Sequence, residues 1–204
     1  MPLSAREISR VLWDGLRDID EAHMLCIVPL IDVDEFEAKG AASVDLRLGR
    51  WFRSMIQTKV TKITIGDNRR EGAVSKEHYV RFNDEFILHP GQFVIGNTLE
   101  WIRLPYDLTA YVTGKSSWGR RGLIIETAAG IHPGFTGCLT LELANVGSAP
   151  IALSPGMPVC QIFFHRVTPR EKATSTQFVG YRKPALGSIE RDSVLEALAT
   201  KYFT

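Results

Sequence analysis

Cysteine is scarce in this chain: Cys26, Cys138 and Cys160 are the three present among 204 residues. An odd number so widely separated builds neither a disulfide framework nor a zinc site of closely spaced ligand pairs, and reads as free thiols in a reducing compartment. Long apolar runs are missing as well. No stretch approaches the roughly 18 residues that span a bilayer, and the opening MPLSAREISRVLWDGL carries charges too early for a signal peptide. The expectation is a cytoplasmic protein with no membrane partner. Nor is there an excess of one charge: a formal net charge of +1 supplies no field to hold a nucleic-acid polymer. What the chain does have is 45% hydrophobic residues over a length suited to one compact domain with short appendages, enough for a substantial core.

The apolar residues are arranged in short strands. After a short apolar run from Cys26 to Ile31 and an acidic turn (Asp32, Asp34, Glu35, Glu37), Val44, Leu46 and Leu48 alternate with Asp45 and Arg47, the period of a half-buried strand closed by Gly49. Asp45 and Arg47 either pair with other charges or form the wet face. Lys59 to Ile65 alternates in the same way ahead of the loop GDNRREG, and Tyr79 to Phe82 and Glu85 to Leu88 read as further strands. His89-Pro90-Gly91 turns into QFVIGNTLEWIRLP, and LTLELANVGSAPIALSPGMPVCQIFFHRV supplies more strands, with turns at Gly147-Ser148 and Pro155-Gly156. Short strands at this spacing predict an all-β barrel or sandwich, not alternating β-α units. Helices are predicted near the ends. Ser4 to Glu7 reads as a capping box for a helix with Ile8, Val11, Leu12 and Leu16 on one face, ending near Gly15. Asp192 or Ser193 caps a short C-terminal helix holding Val194, Leu195, Leu198 and Tyr202, and the polar segment Thr168 to Ser188 before it reads as a tail that orders only against something else.

Chemistry is concentrated between Gly114 and Glu142. Lys115, Ser116, Ser117, Arg120 and Arg121 gather hydroxyls and cations beside Gly114 and Gly119, a donor set suited to phosphate or, equally, a charged turn. It is not the P-loop, whose lysine follows a longer glycine-spaced loop. Glu142 stands where alternation sends Leu139, Leu141 and Leu143 to one face and Thr140, Glu142 and Ala144 to the other. Such a carboxylate is either a general acid and base or a solvent-facing group. His132 sits at the corner between the two, as a ligand contact or a turn cap.

Taken together, ASVDLRLG, FILHPGQFVIGNTLEWIRLP, GKSSWGRRGL, HPGFTGCLTLELANV and PIALSPGMPVCQI, in that order, resemble the dCTP deaminase family of the dUTPase-fold superfamily. The resemblance implies a mainly β protein: a distorted β-barrel of the dUTPase-like (β-clip) type over residues 1–167, with short terminal helices and a closing tail over 168–204. It implies a homotrimer with active sites between subunits, acting without zinc on a deoxycytidine nucleotide accompanied by Mg2+. The catalytic set it implies is Glu142, Ser116 and Arg120, with backbone contacts from Ala128. The nucleotide-binding set is Lys115, Ser117, Gly119, His132, Phe135, Thr140, Leu141, Gln177 and Tyr181.

The chain departs from the family pattern at definite places. His132 stands where an aspartate is usual, which argues against dUTPase activity, and Glu126 stands near a habitual histidine in a segment one residue short. In the tail, Gln177 replaces a lysine and Tyr181 a glutamine, with Arg182 or Lys183 as substitute cations. The departures at His132, Gln177 and Tyr181 keep a catalytically weak nucleotide-binding regulator in view, and a bifunctional deaminase and dUTPase stands as a further alternative.

Overall fold

The computed structural model describes residues 1–12, 23–29, 32–56, 63, 71–126, 130–168 and 179–187. The predicted capping box is present: Ser4 Oγ accepts the Glu7 amide and Glu7 reaches back to the Ser4 amide at 2.9 Å, opening helix α1 (Ala5–Val11). The helix ends sooner than expected. Leu12 is already extended and forms a parallel bridge to Leu25, so Ile8 and Leu12 reach the core from different backbone geometries. The acidic segment predicted as a turn is helix α2 (Val33–Lys39), because Asp32 caps it through the Glu35 amide at 2.9 Å and Phe36 anchors its inner face.

Three antiparallel sheets carry the rest. The largest joins β4 (Ser75–Tyr79), β3 (Trp51–Met55), β6 (Phe93–Arg103), β10 (Thr136–Asn145) and β8 (Leu123–Glu126) in that order, with β1 (Cys26–Val28) also on β6. A four-stranded sheet runs β2 (Val44–Arg47), β12 (Pro158–Arg166), β7 (Leu108–Gly114), β9 (Gly130–Ile131), and β5 (Phe86–Leu88) pairs with β11 (Ile151–Leu153). The molecule is mainly β, as its alternating sequence predicts. Among the described residues no helix is long and apolar enough to cross a membrane. Strand β4 lies upstream of the predicted Tyr79 to Phe82. Its polar residues Ser75 to Glu77 have no apolar alternation of their own and are strand because β3 pairs with them, while Asn83, at φ 72°, turns the chain at the predicted strand's end. Of the loop GDNRREG, Glu71 already belongs to the helical turn α3 (Glu71–Val74). The predicted strand at Lys59 to Ile65, apart from Ile63, the start of that loop and the C-terminal helix lie outside the described residues.

Three Pro-Gly corners share one physics. In His89 to Gln92, His132 to Phe135 and Ser154 to Met157 the first carbonyl accepts the fourth amide at 3.1–3.2 Å, and Gly91, Gly134 and Gly156 take φ of 74°, 76° and 90°. Proline at the second place and a left-handed glycine at the third make type II turns. The histidines therefore stand at turn starts.

The two main sheets are joined by a buried carboxylate. Glu100 on β6 is fully buried and accepts the Arg47 backbone N–H at 2.8 Å and its guanidinium Nη1 at 3.2 Å. Burial pushes this carboxyl above the ordinary range, against the lowering effect of the Arg47 bonds.

Candidate functional site

The register of the six-stranded sheet builds one face of the site. Glu142 lies opposite Glu126 on β8 and opposite Ile95 on β6, Ile95 opposite Arg53 on β3, and Arg53 opposite Glu77 on β4. Directly paired residues project to the same side, so four charged groups and one isoleucine cross the sheet in a row. Alternation along β10 is as predicted: Leu139, Leu141 and Leu143 are in the core and Glu142 is exposed. Within one chain the carboxylate faces outward.

One step along β10, Thr140 pairs with Asn97. Asn97 is 5% exposed; its Nδ2 donates to the carbonyls of Thr98 at 2.8 Å and Arg182 at 3.2 Å, and its Oδ1 is buried without a hydrogen-bond partner among the described residues. A buried acceptor left unpaired costs about 1–3 kcal/mol, which a ligand or water donor recovers. The tail segment 179–187 lies across this same face, with the Cys138 amide donating to Tyr181 O at 2.8 Å and the Gly180 amide to Thr136 O at 2.6 Å. The tail was expected to order only against something else; this part of it orders against the chain's own sheet. A cavity of about 430 Å³ opens here, lined by Arg53, Glu77 and residues 179–185.

The second half of the predicted site is built at the end of β7. Lys115 follows the strand, its amide held by Val159 O at 2.9 Å, and stands at the N-cap position of a single helical turn, α4 (Ser116–Gly119), without a side-chain capping bond. Ser116, Ser117, Gly119 and Arg120 are exposed, and Arg121 folds back to donate to Ser117 O at 2.7 Å. Lys115 has a partner inside the chain: its Nζ lies 2.6 Å from Asp45 Oδ2. The charges on β2 thus pair, Asp45 with Lys115 and Arg47 with Glu100. At Gly122, which follows this turn with φ 89°, an added Cβ would lie 2.5 Å from the Gly147 amide nitrogen. Gly122→Ala is expected to lower stability by about 3 kcal/mol through backbone strain and overlap, read as a lower urea midpoint.

The two halves do not meet within one chain. Leu123 pairs with Asn145 and Glu126 with Glu142, so the α4 turn precedes the end of β8 that lies about 10 Å from the Glu142 pair, at roughly 3.3 Å per residue. No hydrogen bond or ion pair joins Glu142 to Ser116 or Arg120 among the described residues. His132 is exposed at its turn, Thr140 is half-buried beside Glu142, and Tyr181 is exposed on the tail segment. Phe135 and Leu141 have their side chains in the core, so any nucleotide contact they make comes from backbone. Ala128 and Gln177 lie outside the described residues.

Arg53, Glu77 and Asn97 are on the Glu142 face; Asn97 lies within the FILHPGQFVIGNTLEWIRLP block without standing out there, and Arg53 and Glu77 carried no signal in the sequence. WFRSM and SKEHY contain no motif; pairing across strands is what brings them there. The three thiols are raised by burial, Cys160 to about 12, so none readily gives the thiolate that a metal needs. Among the described residues no group of three His, Cys, Asp or Glu is placed to hold a metal ion.

A family model described as dCTP deaminase-like matches residues 14–167. The chain is 40% identical over 185 residues to a dCTP deaminase of Natronomonas pharaonis, covering 88% of this chain and 93% of that protein. It is 44% identical over 169 residues to a Halobacterium salinarum protein named dCTP deaminase, dUMP-forming, covering 82% of each. Among solved structures it is similar to the 2'-deoxycytidine 5'-triphosphate deaminase of Agrobacterium tumefaciens, with a TM-score of 0.57 and 25% identity over 81% of this chain. The chain spans 47% of that solved chain, about half its length.

Proposed function

We propose, given that the chain belongs to the dCTP deaminase-like family, that it hydrolyses dCTP to dUTP and ammonia without zinc. The observation that carries the reading is Glu142, the one charged residue of β10, beside the buried unpaired oxygen of Asn97 and next to the tail segment. Deamination needs water to add at C4 of cytosine, N3 to gain a proton, and the amine to leave as ammonia with another. One carboxylate can take the proton from water and hand it on, so that dCTP and water give dUTP and ammonia with no external acid. Glu142 is assigned that relay. Fixed donors stabilise the charge that develops, and Ser116 and Arg120 are assigned to it.

Because those two residues stand apart from Glu142 in the chain, the proposal includes a homotrimer in which the α4 turn of one subunit completes the Glu142 face of the next. Magnesium would come with the substrate, held by triphosphate oxygens and water. Lys115 and Ser117 are assigned to phosphate and His132 to the sugar side of the pocket, with Lys115 exchanging Asp45 for the phosphates. The 168–204 region is assigned to closure over the nucleotide, and a cytoplasmic location suits the free thiols and the substrate.

Purified protein with dCTP and magnesium should release one ammonia per dUTP formed. If neither product accumulates while nucleotide binding is measurable by calorimetry, the regulator reading replaces this one. A dUMP-forming outcome is favoured by the names of several relatives, from Halobacterium salinarum and Dictyoglomus thermophilum among others. Against it stands His132, in the position where the family aspartate that helps activate the second hydrolytic water is usual. Detection of dUMP and pyrophosphate in place of dUTP decides for the bifunctional enzyme.

A further inference from the structure

The tail segment 179–187 is exposed from Val179 to Lys183 and half-buried from Ala185 to Gly187, with Pro184 its one buried residue, so apolar burial contributes little to the order of its first half. Its position depends on polar contacts at three points. At the first, its backbone bonds to Thr136 and Cys138 on β10, where Gly137 leaves room: a Cβ there would come within 3.0 Å of Tyr181 O. At the second, Asn97 holds the Arg182 carbonyl. At the third, Arg53 Nε donates to the Pro184 carbonyl at 3.2 Å. Both sides of this third point are gathered by one carboxylate. Glu77 Oε2 lies 3.4 Å from Arg53 Nη2 on the sheet, and Glu77 Oε1 accepts Lys183 Nζ from the tail at 2.9 Å. The Lys183 ammonium also sits 3.6 Å from the centroid of the Trp51 ring.

We propose that Glu77 is a positioning residue: it clamps the tail segment over the Glu142 face of its own chain, through Arg53 on one side and Lys183 on the other. The role rests on the deaminase reading, since that reading makes the Glu142 face the reaction site. Arg53 is 13% exposed and Glu77 33%, so this network is screened less than an open surface pair. The clamp also divides the work of two neighbouring cations. Lys183 is committed to Glu77 and Trp51, which leaves Arg182 as the cation of the segment available to the substrate's phosphates. Holding the segment down keeps water from the pocket and keeps the Arg182 carbonyl on Asn97. Glu77 and Arg53 themselves touch no reacting atom; they act through the tail.

Cys138 provides a reporter that does not depend on activity. Its amide is bonded to Tyr181 and its thiol lies beside Asn97, beneath the segment, whereas Cys26 and Cys160 are buried in the barrel. In the full chain, Glu77→Gln is expected to raise the rate of Cys138 alkylation by iodoacetamide, followed by peptide mass spectrometry, and to raise KM for dCTP, each by about tenfold. Lys183→Met should act in the same direction, and the double variant should show less than the sum of the two effects, because both changes remove the Glu77–Lys183 ion pair. Unchanged Cys138 protection in a Glu77→Gln protein with wild-type circular dichroism overturns the clamp, as does full additivity of the two changes. Released Cys138 with unchanged KM overturns the positioning role. If the wild-type enzyme itself deaminates nothing, it is the deaminase reading that fails, and the alkylation rates still decide whether Glu77 holds the tail.

Discussion

Glu142→Gln is expected to lower kcat for dCTP deamination by about a thousandfold, within the 10²–10⁴ that a positioned general acid and base contributes. The side chain keeps its length and its hydrogen-bonding shape but can no longer take a proton from water or pass one on. The loss should therefore fall on kcat, with dCTP affinity within a few-fold of wild type. Stability should hardly move. Glu142 is exposed, and among the described residues no side-chain hydrogen bond or ion pair engages it, so the change resembles a surface substitution of about 0.5 kcal/mol or less. It also removes one of two like charges that face each other across β8 and β10. Steady-state kinetics beside a thermal melt checks both halves. A variant that keeps a tenth or more of wild-type kcat would exclude Glu142 as the proton relay.

Glu100→Ala should have the opposite profile, a large loss of stability before any question of chemistry arises. The carboxylate is fully buried between the two main sheets and is the acceptor for both the Arg47 amide and its guanidinium. Removing it leaves a buried N–H without a partner and a cavity behind it, and breaking a buried ionic pair in this way costs about 3–5 kcal/mol. Arg47 reaches water along its half-exposed side chain, which places the loss toward the lower end of that range. The same residue has a pH signature of definite sign. Its carboxyl is raised in the folded state, chiefly by burial, from an ordinary value of 4.5. As pH climbs past 4.5 the unfolded chain gives up this proton first and the folded chain keeps it longer. The part of the stability linked to this proton is thus fully present below that pH and is lost as pH rises through the folded pKa, while the Arg47 contacts continue to hold the ionised group. Urea unfolding across this range should show the variant without that downward component, and an identical pH slope in both proteins would rule the explanation out.

The two substitutions affect neighbouring strands of one sheet and separate what each carboxylate is for. Glu142 is tolerated in its strand because its side chain reaches solvent. Glu100 is tolerated in the core because Arg47 satisfies it from two directions. Nothing in the local sequence distinguishes them: both sit among alternating apolar residues, in TLEWI and TLELA. The difference lies in which face of which strand is covered.

Local signals were legible wherever the cause is local. The Ser4 and Glu7 cap, the Pro-Gly corners, the alternation of Val44 to Leu48 and of Leu139 to Leu143, and the order of motifs that carries the family resemblance could all be read from neighbours within a few residues. Helix α2 was missed because four acidic residues read as a turn, although Asp32 is a cap and Phe36 an anchor. Strand β4 was misplaced because its partner, not its composition, makes it a strand.

By itself, then, the sequence determined the mainly β class, the family, and the candidate chemistry of Ser116, Arg120 and Glu142, since periodicity and motif order are properties of the chain's own length. Only the tertiary structure decided that the Ser116 turn and Glu142 lie apart in one chain, that Lys115 is held by Asp45, and that Arg53, Glu77 and Asn97 share the Glu142 face with the tail. Those facts depend on register between strands distant in sequence, where a shift of one residue would turn each side chain to the other face of the sheet.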